Sequence, residues 1–293
     1  MANAPKFAGR EAREKLGWWH ANRFLFWRRL TQLSILLMFL SGPYFGVWIL
    51  KGNYSGSLLF DVIPLSDPLI TLESLASGHL PGILTLSGAL IIFITYALLG
   101  SKVFCGWVCP LNVVTDCAAW IRRKLGIRQT AKIPRSLRYA ILVMILAGSA
   151  VSGLLLWEWV NPVAALGRAL IYGFGATVWL ILVVFFFDLF IVEHGWCGPL
   201  CPIGATYGVI GAKSLLRVKV IDRARCDNCM DCYNVCPEPQ VLRSPLHGKN
   251  SESLLVLSQD CISCGRCIDV CPEKVFTFSH RFNNDIPVVT LNQ

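Results

Sequence analysis

Two cysteine runs with identical spacing constrain the fold of this chain more than any other feature. The first reads Cys226-x2-Cys229-x2-Cys232-x3-Cys236-Pro237, and the second reads Cys261-x2-Cys264-x2-Cys267-x3-Cys271-Pro272. Three cysteines on one tight loop can bind three irons of a [4Fe–4S] cluster, and in two-cluster ferredoxins the cysteine before proline binds the other cluster. We therefore predict one cluster held by Cys226, Cys229, Cys232 and Cys271, and a neighbouring cluster held by Cys261, Cys264, Cys267 and Cys236.

A structural zinc ribbon is the alternative, because two C-x2-C pairs also suit tetrahedral zinc. Zinc needs four ligands per site and no additional cysteine before a proline, yet that cysteine occurs in both runs. The pattern therefore favours iron–sulfur clusters. Such clusters carry single electrons, but the motif identifies neither the donor nor the acceptor.

The rest of the chain is unusually apolar. Of its 293 residues, 54% are hydrophobic and only 15% are charged, which is atypical of a soluble protein. Four uncharged runs approach the roughly 20 residues needed to cross a bilayer, at 30–50, 80–101, 139–157 and 169–187. We therefore predict an all-α polytopic membrane domain with four transmembrane helices (30–192), a linker (193–215) and a small α+β two-cluster ferredoxin-like domain (216–293).

The net charge of +9 has an uneven distribution that topology explains. Lysine and arginine concentrate before the first run, between the second and third, and after the fourth, while the two other loops hold only Lys51 and Arg168. Basic residues are enriched in cytoplasmic loops, so we predict a multi-pass protein of the bacterial inner membrane with both termini and the clusters in the cytoplasm. A charge excess of this origin gives no reason to expect nucleic-acid binding.

The cysteine count agrees with this topology. In a reducing compartment, the 13 cysteines are expected to be metal ligands rather than disulfides.

Two features flank and interrupt the first apolar run. Residues 1–29 interleave basic and aromatic side chains, so we predict an amphipathic segment on the cytoplasmic face. Ser41-Gly42-Pro43 lies inside the run, where proline removes a backbone hydrogen bond. We expect a kink or a close helix contact there.

A second cysteine pattern occurs at the ends of the second and fourth apolar runs. It reads Cys105-x3-Cys109-Pro110 and Cys197-x3-Cys201-Pro202, each with a tryptophan nearby. The two pairs could bring four thiolates together and hold a third metal or iron–sulfur centre. Each pair could instead be a thiol–disulfide couple or a packing element, because two-cysteine spacing selects no metal. Cys117 belongs to neither pair, and we predict that it is a small buried hydrophobe.

The sequence favours a lipid-soluble electron donor. It has no nucleotide-binding glycine loop and no C-x-x-C-H haem attachment, while one-electron centres adjoin a membrane domain. A quinol could reach such a site through the bilayer and give up its two electrons one at a time. Its oxidation also releases two protons, which requires a carboxylate or an imidazole as acceptor.

Candidate proton acceptors lie near the predicted outer face. Glu158 stands between two tryptophans, where partial burial would raise its pKa toward the proton-transfer range. The loop 51–79 carries Glu73 and His79, together with Asp61 and Asp67, among apolar residues, and we expect it to pack back on the membrane. The alternative is a solvated loop in which aspartates cap turns and helices. Asp188, near the cytoplasmic end of the fourth run, is expected to be functional or paired.

Taken together, these motifs resemble the NapH family, the membrane ferredoxin-type quinol dehydrogenase subunits of periplasmic nitrate reductase systems. The resemblance covers nearly the whole chain, and its signatures are Trp18-Trp19, Ser41-Gly42-Pro43, the loop 53–68, both Cys-x3-Cys-Pro elements, Trp157-Glu158-Trp159 and the doubled cysteine run. It implies oxidation of ubiquinol or a low-potential quinol. Electrons would then pass, with a soluble NapG-like iron–sulfur subunit, toward periplasmic c-type cytochromes and nitrate reductase.

Two related architectures share the motifs. Regulators of the NosR type carry a large outer domain before the spans, whereas 29 residues precede the first run here. Assembly factors of the CcoG type continue into a further domain after the clusters, whereas 22 residues follow Cys271 here. We therefore expect the NapH-like function over a membrane redox sensor or an assembly factor that turns over no substrate. If the clusters are cytoplasmic and the acceptor is periplasmic, electrons must cross the bilayer. Otherwise the clusters must serve a branch of the electron-transfer pathway or a sensing role.

Overall fold

The computed structural model describes residues 8–127, 130–131, 133–173, 175, 177–248 and 253–283. The ends of the predicted segments 1–29 and 216–293, at 1–7 and 284–293, lie outside the described residues. The described α-helices are α1 (Arg10–Leu16), α2 (Arg23–Phe45), α3 (Pro68–Ala76), α4 (Ile83–Leu99), α5 (Val103–Trp107), α6 (Leu111–Lys124), α7 (Leu137–Ser152), α8 (Leu156–Val160), α9 (Pro162–Tyr172), α10 (Thr177–Phe186), α11 (Pro202–Ile210), α12 (Asp231–Val235), α13 (Arg243–His247) and α14 (Arg266–Asp269). The strands are β1 (Leu50–Gly52), β2 (Gly56–Leu59), β3 (Ile63–Ser66), β4 (Leu216–Val220) and β5 (Phe276–His280).

One described helix is long and apolar enough to cross a membrane. It runs over His20–Phe45 and includes α2. The other apolar helices have 10 to 17 residues and are Ile83–Leu99, Leu137–Ser152, Pro162–Ile171 and Thr177–Ile191. They fall in or beside the runs predicted at 80–101, 139–157 and 169–187. The four-span topology stays a prediction.

Helix α2 continues through Ser41-Gly42-Pro43 and ends at Phe45. Gly46 then adopts a left-handed conformation with φ 73°, which reverses the chain. The ring of Trp48 folds back against α2, and a Cβ atom on Gly42 would lie 2.3 Å from that ring. The close contact at this motif is therefore made by the following loop and requires glycine.

Residues 50–66 form a small antiparallel sheet in which β2 lies between β1 and β3. The expectation of an all-α membrane domain is wrong for this segment. Strand β3 packs against α4, where a Cβ atom on Gly88 would lie 2.9 Å from the Ser66 hydroxyl and 3.0 Å from the Pro64 carbonyl carbon. The segment thus folds back along α4, and α3, which follows it, packs against α4, α7 and α11.

The segment 193–215, predicted as a linker, is mostly helical. Every residue of α11 from 202 to 208 is buried, and the helix packs against α3, α4, α5 and α7. Beyond it, β4 pairs with β5 over five residues, from Leu216 opposite His280 to Val220 opposite Phe276. These strands cover a core that contains Val218, Cys232 and Cys267.

The N-terminal segment binds the cysteine-rich region. The backbone N–H of Gly9 donates to Asp231 Oδ2 at 2.7 Å, and those of Phe24 and Leu25 donate to the two carboxylate oxygens of Asp269 at 3.2 Å each. Asp269 is fully buried, so it fixes the start of α2 against α14. The aromatic side chains Trp18, Trp19, Phe26 and Trp27 remain exposed.

Candidate functional site

The eight cysteines of the doubled run line two small cavities. One is lined by Cys236, Cys261, Cys264 and Cys267, and the other by Cys226, Cys229, Cys232 and Cys271. Each cavity combines three cysteines of one run with the last cysteine of the other. This is the grouping that the spacing predicts for two interleaved clusters.

The backbone of both runs turns in the same way. Cys229 lies between Asn228 and Met230, with φ 58° and 63°, and the equivalent Cys264 lies between Ser263 and Gly265, with φ 49° and 72°. Left-handed residues on both sides of the central cysteine wrap each loop around its cavity. Gly265 is also required by packing, because a Cβ atom there would lie 2.5 Å from the ring of Phe24.

The two Cys-x3-Cys-Pro elements have the same local structure. In the first, the N–H of Cys109 donates to the carbonyl of Phe104 at 2.9 Å; in the second, the N–H of Cys201 donates to the carbonyl of Trp196 at 2.9 Å. In each element a proline follows directly at the start of a helix: Pro110 is the N-cap of α6, and Pro202 is the first residue of α11. The sequence repeat is therefore a structural repeat.

The repeat brings four cysteines together at the ends of the apolar helices. Cys109 and Cys201 are buried, and Cys105 and Cys197 are partly buried. Burial raises the pKa of all four thiols, that of Cys109 to about 12, and neighbouring members of the set raise it further in Cys105, Cys109 and Cys197. A thiol with a raised pKa stays protonated at neutral pH. These four become thiolates only if a cation bound among them stabilises the negative charge.

Sulfur spacing tests which group fits these sites. Among the 13 cysteines, all of which the structure describes, no three sulfurs lie within 4.8 Å of one another. A single tetrahedral zinc ion with Zn–S bonds of about 2.3 Å would hold its sulfurs about 3.8 Å apart. The cysteine sites are thus too open for one ion, whereas a set of thiolates around a larger space suits an iron–sulfur cluster.

A buried charge network lies between the four-cysteine site and the ferredoxin region. Lys102 Nζ lies 3.3 Å from Asp260 Oδ1 and 3.8 Å from Glu238 Oε1. Arg138 pairs with Asp260, lies 3.7 Å from Glu238 and donates to the carbonyl of Gly198 at 3.1 Å. Burial alone would raise the pKa of Asp260, but Lys102 and Arg138 outweigh burial and hold that pKa below its usual value.

Contacts made by α5 place the cavity of the second run next to the four-cysteine site. The indole Nε1 of Trp107 donates to the carbonyl of Ser263 at 3.1 Å, and a Cβ atom on Gly106 would lie 2.9 Å from the carbonyl of Ile262. Helix α5 therefore lies directly on the loop that carries Cys261 and Cys264. The other cavity adjoins that of the second run, since Cys232 is within electrostatic range of Cys267.

The three predicted proton acceptors do not form one site. Glu158 is bonded through both oxygens, to Arg168 at 3.0 Å and to the Ser55 hydroxyl at 2.8 Å. Glu73 is fully buried, and its Oε1 accepts from the Ser149 hydroxyl at 2.7 Å and the Trp157 N–H at 2.8 Å. His79 is exposed, 3.1 Å from the Ser77 hydroxyl.

A cavity that the sequence did not indicate lies beside the four cysteines. It measures about 210 Å³ and is lined by Ile35, Phe39, Leu50, Asn53, Tyr54, Ser57, Leu65, Ser66, Asp67, Ile92, Tyr96, Phe104, Val108 and Tyr207. Asp67 is the one carboxylate in this lining, and burial raises its pKa to about 7. In the sequence, the Asp67-Pro68 pair indicates only a helix cap. Asp67 does cap α3, since its Oδ1 accepts from the N–H of Leu69 at 3.0 Å.

Two further residues have clear positions. Asp188 is fully buried and accepts from the N–H of Trp196 at 2.9 Å, so it supports the second Cys-x3-Cys-Pro element. The prediction that Cys117 is buried was wrong. Cys117 lies on the exposed face of α6 together with Val113 and Trp120, at helical spacing.

Comparison with known families gives two matches that follow the two cysteine patterns. Residues 81–128 and 173–220, which hold the Cys-x3-Cys-Pro elements, match a 4Fe-4S binding domain. Residues 225–285 match a 4Fe-4S dicluster domain. No solved structure matches the chain.

Similar proteins match along nearly their whole length. The ferredoxin-type protein NapH of Haemophilus influenzae is 82% identical, and that of Escherichia coli is 58% identical, each over 97% of this chain and 99% of the relative. The methylamine utilization ferredoxin-type protein MauN of Methylorubrum extorquens is 45% identical over 90% of this chain and 89% of its own length.

Proposed function

From the premise that this chain belongs to the NapH family of ferredoxin-type proteins, we propose that it oxidises a membrane quinol and passes the electrons toward a periplasmic nitrate reductase. It is an iron–sulfur electron-transfer protein of the NapH type. The observation that carries the proposal is the order of its cysteine sites. The four-cysteine site lies at the ends of the apolar helices, and α5 joins it to the cavity of Cys261 and Cys264. The cavity of Cys226 and Cys229 adjoins that second cavity.

In this proposal the two ferredoxin cavities hold [4Fe–4S] clusters with interleaved ligands. Cys226, Cys229, Cys232 and Cys271 bind one cluster, and Cys261, Cys264, Cys267 and Cys236 bind the other. Support comes from the cavity linings and from sulfurs too widely spaced for a single zinc ion. The full chain, purified anaerobically, is expected to contain about eight iron and eight sulfide from these two sites.

The four-cysteine site of Cys105, Cys109, Cys197 and Cys201 is proposed as the first electron acceptor. Four buried or partly buried thiols, three of which have a pKa raised by neighbouring members of the set, favour either a bound iron–sulfur centre or a disulfide couple. The iron content separates the two, because a third [4Fe–4S] cluster would raise it to about twelve per chain. The match of this segment to a 4Fe-4S binding domain favours the cluster.

A quinol is the proposed substrate because it is a two-electron donor that dissolves in the bilayer, while iron–sulfur centres accept electrons singly. Its two protons need a carboxylate or an imidazole within hydrogen-bond reach. Of the groups predicted for this role, Glu158 is bonded through both oxygens, Glu73 is enclosed and His79 is exposed. None of the three lines the 210 Å³ cavity.

The proposed topology has four spans, with both termini and the ferredoxin region in the cytoplasm. The three basic blocks support it. Reporter fusions after Asn53, Gly126, Pro162 and Gln293 are expected to read outside, inside, outside and inside. A periplasmic signal at Gln293 would place the ferredoxin clusters on the other side of the membrane.

The proposed partners are a soluble NapG-like iron–sulfur subunit and, downstream, periplasmic c-type cytochromes and nitrate reductase. The decisive experiment adds excess duroquinol anaerobically to the full chain in nanodiscs and follows the bleaching of cluster absorbance. We expect reduction of the clusters. Clusters that stay oxidised under duroquinol but are reduced by dithionite would favour a sensor or assembly role that turns over no quinol.

A further inference from the structure

The cavity of about 210 Å³ combines a membrane position with closeness to the four cysteines. Its walls include Ile35 of α2 and Ile92 of α4, so it lies between two apolar helices. Its floor includes Phe104 and Val108, each adjacent in sequence to one cysteine of the first Cys-x3-Cys-Pro element. A molecule in this cavity would therefore be in contact with both the membrane helices and the four-cysteine site.

The size and the lining suit a ring-shaped, mostly apolar ligand. An apolar cavity of about 150 Å³ binds benzene in an engineered protein, so 210 Å³ has room for a substituted or fused ring. Aromatic walls are provided by Phe39 and Tyr54, whose ring centroids lie 4.7 Å apart, and by Phe104 and Tyr207, which stack at 4.8 Å. Flat rings of this kind favour offset stacking with another ring.

Two polar atoms in the lining lack partners among the described residues. The hydroxyl of Tyr54 is buried and makes no hydrogen bond. Asp67 uses one oxygen, Oδ1, to cap α3, and no hydrogen bond involves its Oδ2. The buried Tyr54 hydroxyl costs free energy unless a ligand supplies its partner. One hydroxyl of a quinol would supply it, and the other would be available to Asp67 Oδ2.

We propose that this cavity binds the head group of the quinol and that Asp67, rather than Glu158, Glu73 or His79, accepts its protons. The inference rests on the proposed function and names the site and the base. Each quinol gives two electrons, one at a time, to the oxidised iron–sulfur centres of the chain. It gives two protons, also one at a time, to the Asp67 carboxylate, and leaves as quinone.

Between the two steps Asp67 must lose its proton, and the structure offers an exit. The backbone N–H of Asp67 donates to the carbonyl of Ser55 at 3.0 Å, and the hydroxyl of the same Ser55 donates to Glu158 Oε2 at 2.8 Å. Glu158 is a quarter exposed and is held by Arg168. These contacts hold Glu158 within electrostatic range of Asp67. The backbone amide of Asp67 relays no proton, so each proton passes from the Asp67 carboxyl to water in the cavity and from there to Glu158, which gives the predicted residue a role in release.

The surroundings of Asp67 support its use as a base. Its pKa is raised to about 7, mainly by burial and also by the nearby carboxylates Glu158 and Glu73, against the lowering effect of the Leu69 N–H. The titratable groups that face it from other elements are Tyr96, Tyr207, Cys109 and Cys201. A carboxylate with a pKa near the working pH both takes up and releases protons efficiently.

Asp67→Asn tests the base without removing the helix cap, because asparagine caps helices as well as aspartate. In the full chain in nanodiscs, we expect duroquinol to reduce the clusters at least about 100-fold more slowly than in the wild type. Dithionite is expected to reduce them normally. Asp222→Asn is the matched control, because Asp222 also caps a helical turn, accepting from the N–H of Ala224 at 2.9 Å, and lies outside the cavity lining. It is expected to keep the wild-type rate.

A second pair of variants tests binding alone. Ile92→Trp fills the cavity, and Leu90→Trp places the same side chain on α4 where Leu90 is 58% exposed. An azido-ubiquinone photolabel is expected to mark peptides containing Tyr54 or Tyr96 in the wild type, Asp67→Asn and Leu90→Trp. In Ile92→Trp this labelling is expected to fall about tenfold or more.

The results separate the site from the function. Suppose that duroquinol reduces the wild-type clusters. The cavity assignment is then wrong if the photolabel marks other peptides or if Asp67→Asn keeps the wild-type rate, and the proposed function stands. If the wild type is not reduced by duroquinol while the photolabel marks the cavity, quinol oxidation is wrong and the cavity remains a quinone-binding site.

Discussion

The ferredoxin region and the four-cysteine site use the same side chain in different ways. In the ferredoxin region, each cavity receives three cysteines from one short loop, such as Cys226 to Cys232, and one from the other run. The four-cysteine site is assembled from two pairs, Cys105 with Cys109 and Cys197 with Cys201, that are distant in sequence. Local turns form the first kind of site, whereas helix packing forms the second.

The difference extends to the surroundings. The ferredoxin cysteines pack with β4, β5 and their core, while the four-cysteine site adjoins the aromatic cluster of Tyr96, Phe104 and Tyr207 and the cavity of Asp67. The first arrangement suits storage of electrons near the surface, and the second suits their entry from a membrane substrate. The contacts of α5 and the buried charges of Lys102 and Arg138 join the two regions.

The largest effect on stability is expected where the two regions meet. Lys102→Met removes a cation that is 2% exposed and lies 3.3 Å from Asp260, so we expect a loss of about 3 kcal/mol in the free energy of unfolding. Lys51→Met is the control, because its pair with Asp61 at 3.5 Å is exposed and contributes about 0.5 kcal/mol or less. Thermal unfolding of both variants in nanodiscs measures this. Equal shifts would show that the regions are not joined through Lys102.

The pH dependence of quinol oxidation distinguishes the membrane site from the ferredoxin region. In the proposed site, Asp67 would accept protons only as a carboxylate, which is the form present above its pKa of about 7. The rate of cluster reduction by duroquinol is expected to be constant above that pH and to fall about tenfold per unit below it. Dithionite reduction bypasses Asp67 and serves as the control. A group of this kind titrates over roughly pH 5 to 8. If the rate of cluster reduction by duroquinol does not change over that range, the assignment of Asp67 is contradicted.

The smallest effect is expected from Gly88→Ala, which alters the wall of the cavity. The new Cβ atom would lie 3.0 Å from the backbone of Pro64 and Ser66, so β3 must move away from α4 at a cost of about 1 kcal/mol. We expect the KM for duroquinol to rise about threefold with the cluster content unchanged. Gly82→Ala, which meets no atom within 4 Å, is the control and is expected to leave the KM unchanged.

The sequence was most informative where ligands are close together in the chain. Spacing alone grouped the eight ferredoxin cysteines, and the structure brings each predicted group to one cavity. The Cys-x3-Cys-Pro repeat could be recognised, but whether its two halves meet depends on how α5, α6 and α11 pack. No local pattern contains that information.

The small sheet and the cavity could not be predicted for related reasons. Strands β1 to β3 are three or four residues long and include Gly52 and Pro64, which are poor strand formers, so pairing and contact with α4 stabilise them. Asp67 has the local pattern of a helix cap, and its cavity is built from residues as distant as Ile35 and Tyr207. Cys117 was misplaced because its sequence neighbours do not show which face of α6 is covered.

The central claim is that quinol electrons enter the ferredoxin clusters through the four-cysteine site. Stopped-flow reduction by duroquinol, compared between the wild-type chain, Cys201→Ser and Cys117→Ser in nanodiscs, tests it most directly. We predict that Cys201→Ser keeps its ferredoxin clusters, as shown by iron content and dithionite reduction, but is reduced by duroquinol at least about 100-fold more slowly. Cys117→Ser, altered at an exposed cysteine of α6, is predicted to match the wild type. Equal duroquinol rates in all three proteins would contradict the claim.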